Sequence, residues 1–286
     1  MIAKAGVLVS ALCLLLAATT TEAAKPGAAH RLDPRQTGLP FEAVSFPSAR
    51  DAAALSGWWF AAGDSSPVVV LCSRSSGTMA DLLPVAKEFH RRGFSVLTFD
   101  YRDFGPGTPG ESDTLRHVVF ASRWVDDAEG AMRYARSRAP GRPLLAWGHE
   151  LGAATAVAAA ARDRRNADAL VIGNLFVTAQ DLLVYNGTSQ IPGVPDHQRK
   201  RVRGEDEPIS AVPMLHTPML AILAGADSKW PIEQARKVVQ RSLSRIDRWT
   251  LPTAGHEGVE LTPGYYDRIA TWFKGLLPYL KPPATP

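Results

Sequence analysis

Apolar positions follow two rhythms along this chain. Val68–Cys72, Phe94–Asp100, Leu144–Trp147, Ala169–Leu175 and Met219–Gly225 are runs with few polar interruptions, the pattern of strands buried on both faces. Ile246–Leu251 reads as a final strand. Phe41–Phe46 alternates apolar and polar residues, as a half-exposed strand does, and Ser56–Ala61 reads as its hairpin partner. Between the buried runs the spacing becomes helical. Met79–Arg92 sets Leu82, Leu83, Val85, Ala86 and Phe89 on one face and ends at Gly93. His117–Arg138 carries a stripe of Ala121, Trp124, Val125, Ala128, Met132 and Tyr134. Leu151–Arg164 and Tyr265–Leu280 complete the helical set. Buried strands alternating with helices predict an α/β fold with a mostly parallel central sheet flanked by helices. Ligands of such sheets bind at the carboxyl ends of the strands.

The stretches outside this alternation read differently. Lys4 followed by the apolar run Val7–Ala18, with Thr21-Glu22-Ala23 ahead of Ala24, has the form of a secretory signal over residues 1–23. The run is short for a membrane span. The mature chain is therefore expected to be secreted or periplasmic, with no stable membrane insertion after signal removal. Residues 24–40 lack periodicity and read as a flexible lead-in. Residues 177–218 form an insertion in which Pro192, Pro195, Pro208 and Pro213 argue against long helices. Its basic cluster Arg199-Lys200-Arg201-Val202-Arg203 reads as a solvated loop, or as a rim that steers anionic ligands.

Composition narrows the functional classes. With 286 residues, 45% of them hydrophobic and 21% charged, the chain suits one large α/β domain over residues 41–286. A net charge of +4 gives no ground for nucleic-acid binding. Removal of the signal leaves Cys72 as the sole cysteine, so no internal disulfide forms, and a cysteine ending an apolar strand reads as a small buried hydrophobe. Seven histidines are scattered without His-x-x-x-His spacing, and no dinucleotide or phosphate-loop glycine pattern occurs. No metal and no cofactor are expected from sequence spacing.

The most specific stretch is Leu144-Leu145-Ala146-Trp147-Gly148-His149-Glu150-Leu151-Gly152-Ala153-Ala154. It runs from a buried strand through Gly-x-Glu-x-Gly into an alanine-rich helix, the form of a nucleophile elbow. With Asp100-Tyr101-Arg102-Asp103-Phe104-Gly105 after an earlier strand, it makes the chain resemble the α/β-hydrolases, specifically small-capped serine esterases and acyl-peptidase-like enzymes. The resemblance extends from about Phe41 to the C-terminus. It implies the α/β-hydrolase fold, a short cap at about 177–218, and a nucleophile–acid–histidine chain order. Asp227 in Gly225-Ala226-Asp227 matches the acid, and His256 in Thr253-Ala254-Gly255-His256-Glu257 matches the base. The amides of Leu151 and Ser75 fall where the family builds its oxyanion hole.

Two departures qualify what the resemblance implies. Glu150 stands where those enzymes carry serine, and a carboxylate has no proton to surrender to a histidine. Ser73-Arg74-Ser75 replaces the usual His-Gly after the strand ending at Cys72. A partly buried carboxylate needs a partner, so Arg74 is expected either to pair with Glu150 or to point to solvent. One reading is a binding or regulatory homologue of esterases, a pseudoenzyme that keeps a small-molecule site. The other is an active hydrolase on an ester-like substrate, with Glu150 as nucleophile or water-activating base beside Asp227 and His256. Nothing in the sequence specifies a protein partner.

Overall fold

The computed structural model describes residues 29–74, 77–106 and 118–280. The expected signal segment, residues 1–23, and Ser75 lie outside the described residues. Strands β1 (Glu42–Pro47) and β2 (Ala54–Phe60) form an antiparallel hairpin, followed by β3 (Val68–Cys72). Helix α1 (Leu83–Arg91), entered through a short 3-10 turn, leads to β4 (Ser95–Phe99), and α2 (Ser122–Arg138) leads to β5 (Leu144–His149). Next come α3 (Leu151–Arg162), β6 (Ala169–Gly173), and the short helices α4 (Ala179–Tyr185), α5 (Val194–Arg199) and α6 (Pro208–Ala211). The chain closes with β7 (Met219–Ala224), α7 (Ile232–Val239), β8 (Ile246–Leu251) and α8 (Tyr265–Leu276). The described strands make one sheet in the order β1-β2-β4-β3-β5-β6-β7-β8, parallel from β4 to β8.

Strand alternation divides the core between the two faces. Val68, Val70 and Cys72 of β3, with Leu144 and Ala146 of β5, pack with Trp124 and Val125 of α2 and the alanines of α3. The intervening Val69, Leu71, Leu145 and Trp147 pack with Phe89 of α1 and Ile269 and Phe273 of α8. Cys72 is fully buried and its thiol is pushed up to about 12 by burial, so it is an inert core residue. Asp103 accepts a bond from Trp124 Nε1 at 2.8 Å and pairs with Arg123 at 2.7 Å, fastening the loop to α2.

Two expectations from sequence are corrected. The described part of the lead-in is structured: Asp33 caps a 3-10 turn over Pro34–Thr37, and His30 bonds Asp100 Oδ2 at 2.7 Å while packing edge-on to Trp58. A capped turn and one long-range polar anchor carry no periodic signal. The basic cluster of the insertion is neither wholly solvated nor a free rim. Arg203 contacts Asp126 Oδ1 at 2.6 Å and Asp206 Oδ2 at 2.9 Å, while Arg199 pairs with Asp196. Asp126, from α2, supplies negative charge that the local sequence around Arg203 does not show.

The insertion also holds Glu207, whose Oε2 accepts the Ala179 N–H at the start of α4 at 2.9 Å. Burial raises its carboxyl from 4.5 to about 7. A folded value above the unfolded one means the folded state binds the proton more tightly. Its contribution to stability is therefore full below about pH 4.5 and lost as pH rises towards 7. Glu207→Gln is expected to remove that slope, roughly 1–2 kcal/mol for a partly exposed group. Urea unfolding of both proteins between pH 4.5 and 8 checks this; parallel pH profiles would refute it.

Candidate active site

The loops at the carboxyl ends of β3, β5, β6, β7 and β8 bring Arg74, Glu150, Asn174, Asp227 and His256 to one edge of the sheet. The turn carrying Glu150 requires its glycines. A Cβ on Gly148 would lie 2.3 Å from the Gly152 carbonyl carbon, and one on Gly152 would lie 2.2 Å from the Cys72 oxygen. Backbone fills both places, so neither side can yield. Gly152→Ala is expected to cost about 3 kcal/mol, measured as a lowered urea midpoint; a loss below half a kcal/mol would show that β3 and α3 can separate.

Glu150 itself sits at φ 52°, ψ −115°, outside the regions open to ordinary residues. Its N–H donates to the Gly173 carbonyl at 3.0 Å, and its carbonyl accepts the Ala154 N–H at 3.0 Å. The strained elbow is thus present with glutamate at its tip. Strain of this kind costs of order 1–3 kcal/mol and persists only where the surroundings fix it. Leu151, buried, is the first residue of α3, so its N–H has no acceptor within the helix.

His256 lies between two carboxylates. Its Nδ1 is 2.8 Å from Asp227 Oδ2 and its Nε2 is 2.9 Å from Glu150 Oε1. Asp227 is held by the Lys229 and Trp230 amides, both donating to its Oδ1, at 2.9 and 2.7 Å. The Asn174 Nδ2 donates to the His256 carbonyl at 2.9 Å and fixes the loop from the β6 side. Burial disfavours charge on the imidazole. The bond to Asp227, then that to Glu150, outweigh it and raise His256 to about 9. Burial likewise pushes Glu150 up, but His256, with Arg74 and Lys229 nearby, holds it below the usual carboxylate range. At neutral pH the ring is an imidazolium between the two carboxyl groups, with both ring N–H groups donating.

Among the described residues the expected Arg74–Glu150 ion pair does not form. Arg74 is engaged by Glu257 Oε2 at 2.5 Å and Glu260 Oε2 at 2.9 Å, from the segment after His256. Two carboxylates from one segment fit the guanidinium fork, while His256 already satisfies Glu150. The alternative of an Arg74 pointing to solvent also fails, since its side chain is 18% exposed. Arg74 acts on Glu150 as a neighbouring charge only. Glu257, Glu260 and Lys229, which lies 3.7 Å from Glu257, were not marked as site residues by sequence. Glu257 was visible as the neighbour of His256; the others had no local signal. Beneath the elbow, buried His149 bonds the Tyr265 hydroxyl at 2.8 Å and is kept neutral by burial, with Arg74 and His256 adding to the effect.

Strand order, elbow and the Asp227–His256 pair together give this chain the α/β-hydrolase fold, and its similarities lie with the α/β-hydrolases. A family profile described as serine aminopeptidase, S33, matches residues 63–189. An uncharacterized protein of Mycobacterium tuberculosis is 28% identical over 219 residues, 75% of this chain and 72% of that protein. Lysophosphatidylserine lipase ABHD12 of Danio rerio is 28% identical over 141 residues, 46% of this chain and 34% of that lipase. In structure, an esterase of Pyrococcus furiosus superposes with a TM-score of 0.70 at 15% identity, over 91% of this chain and 98% of that one.

Proposed function

We propose that this protein is an esterase-like α/β-hydrolase homologue disarmed at its nucleophile, serving as a binding or regulatory protein for a small molecule. The observation that carries this reading is the 2.9 Å contact between Glu150 Oε1 and His256 Nε2. In a serine enzyme that nitrogen takes the proton from the attacking hydroxyl; here it faces a carboxylate with none to give. Arg74, tied to Glu257 and Glu260, reinforces a site arranged as an ion network. The segment 177–218 serves as a short cap: Tyr185 of α4 packs against Trp230, close in sequence to the acid Asp227, with ring centroids 4.4 Å apart. The N-terminal apolar run supports export of the mature chain.

A second reading is favoured by one observation, the intact Asp227–His256 hydrogen bond. In it Glu150 attacks an activated substrate or orients water, supported by that pair. Hydrolysis of short-chain aryl esters by the wild type, Glu150→Ser and Glu150→Ala separates the two. An inactive wild type with activity gained only in Glu150→Ser supports the disarmed frame. An active wild type abolished by Glu150→Ala overturns it.

A further inference from the structure

We propose that Glu150, His256 and Glu257 form a binding site for a divalent transition-metal ion of the Zn²⁺ class. One donor atom from each lies within 4.8 Å of the others. An ion 2.0–2.2 Å from each donor in tetrahedral geometry would hold them roughly 3.4 Å apart. The 2.9 Å between Glu150 Oε1 and His256 Nε2 must open by about half an ångström, and Glu257 must swing inward. The Glu257 side chain is 66% exposed, so its contacts with Arg74 and Lys229, not core packing, oppose the swing.

The surroundings fit this use. His256 releases its Nε2 proton to solvent as the ion binds, and then presents Nε2 while Nδ1 is engaged by Asp227 at 2.8 Å, the carboxylate–histidine arrangement that orients a metal-bound imidazole. Asp227 is itself fixed by two backbone amides. With the His256 proton displaced, the carboxylates of Glu150, Asp227, Glu257 and Glu260 face the two side-chain cations Arg74 and Lys229. That imbalance suits a doubly charged guest. One nitrogen and two carboxylate donors favour Zn²⁺ or Co²⁺ over Mg²⁺ or Ca²⁺, which take all-oxygen sets. The replacement at the elbow supplies the ligand that serine cannot, and no spacing rule finds the site because its donors come from loops more than a hundred residues apart.

Arg74 sets the opposing contact, because its bond to Glu257 must break while that to Glu260 can persist. The test is titration of the purified chain with Co²⁺, read by visible d–d absorption, and with Zn²⁺ by calorimetry. One ion per chain is expected. Glu257→Gln, an exposed substitution that leaves the fold intact, should weaken binding at least about 10-fold, and Glu150→Gln more. Asp227→Asn should cost about 10–100-fold. Arg74→Gln should tighten it. No binding by the wild type, or unchanged affinity in both Glu257→Gln and Glu150→Gln, would overturn the site. These readouts are independent of ester hydrolysis, so the metal site and the disarmed-frame reading can fail separately.

Discussion

Glu150→Ser is expected to raise hydrolysis of p-nitrophenyl acetate by the purified chain about 10³-fold over the wild type. Three features already present support a gain. The elbow holds its tip residue at φ 52°, ψ −115° with glutamate there, so a serine enters the same backbone. His256 stays bonded to Asp227 at 2.8 Å, and the serine removes the second carboxylate from Nε2. Leu151 remains the first residue of α3, where its amide can face a developing oxyanion. A complete triad contributes about 10⁶ in turnover, and a missing oxyanion donor removes about 10²–10³. The segment carrying Arg74 departs from the family pattern at that second donor, which leaves the smaller figure. Glu150→Ser/His256→Ala is the control: activity surviving the loss of His256 would mean the gain does not come from the triad.

The framework of this molecule was legible because its signals are local. Val68–Cys72 and Met219–Ala224 are apolar at every position, which only strands covered on both faces require, and both are fully buried. Gly148 and Gly152 announce the elbow, since side chains there would meet backbone at 2.2–2.3 Å. Asp227 and His256 could be placed by chain order and do meet. Helix α7 was missed although Ile232, Ala235, Val238 and Val239 have helical spacing; at eight residues it is a short helical signal. The partners of Arg74 could not be read at all. Its contacts reach across 183 and 186 residues of sequence to Glu257 and Glu260, and no periodicity records which of several nearby carboxylates takes a guanidinium. The Glu150–Arg74 expectation failed on that choice, because His256 was the nearer claimant.

The same long-range blindness hid the network that gives the second large prediction, that Arg162→Met costs about 3–5 kcal/mol of stability. Arg162, closing α3, grips Asp206 of the insertion through Nε at 2.9 Å and Nη2 at 2.7 Å. Its Nη1 reaches Asp126 and Glu129 of α2 at 2.7 and 3.1 Å. Asp206 is fully buried; burial pushes its carboxyl up, but Arg162, Ser122 and Arg203 outweigh this and hold it below the usual range. Methionine fills similar space without charge and leaves three buried acids, Asp126, Glu129 and Asp206, to Arg203 and the more exposed Arg50 and Arg133. For a chain of this size the loss corresponds to a fall in Tm of about 10 °C. Because the folded value of Asp206 is depressed, its stabilisation exists above the unfolded carboxylate value and disappears as pH falls through the folded one. The wild type should therefore lose its advantage over Arg162→Met in acid. Adding Asp206→Asn to Arg162→Met should recover part of the loss by removing the stranded charge. A Tm within 2 °C of wild type for Arg162→Met would show that Arg203 alone can hold the insertion against α2 and α3.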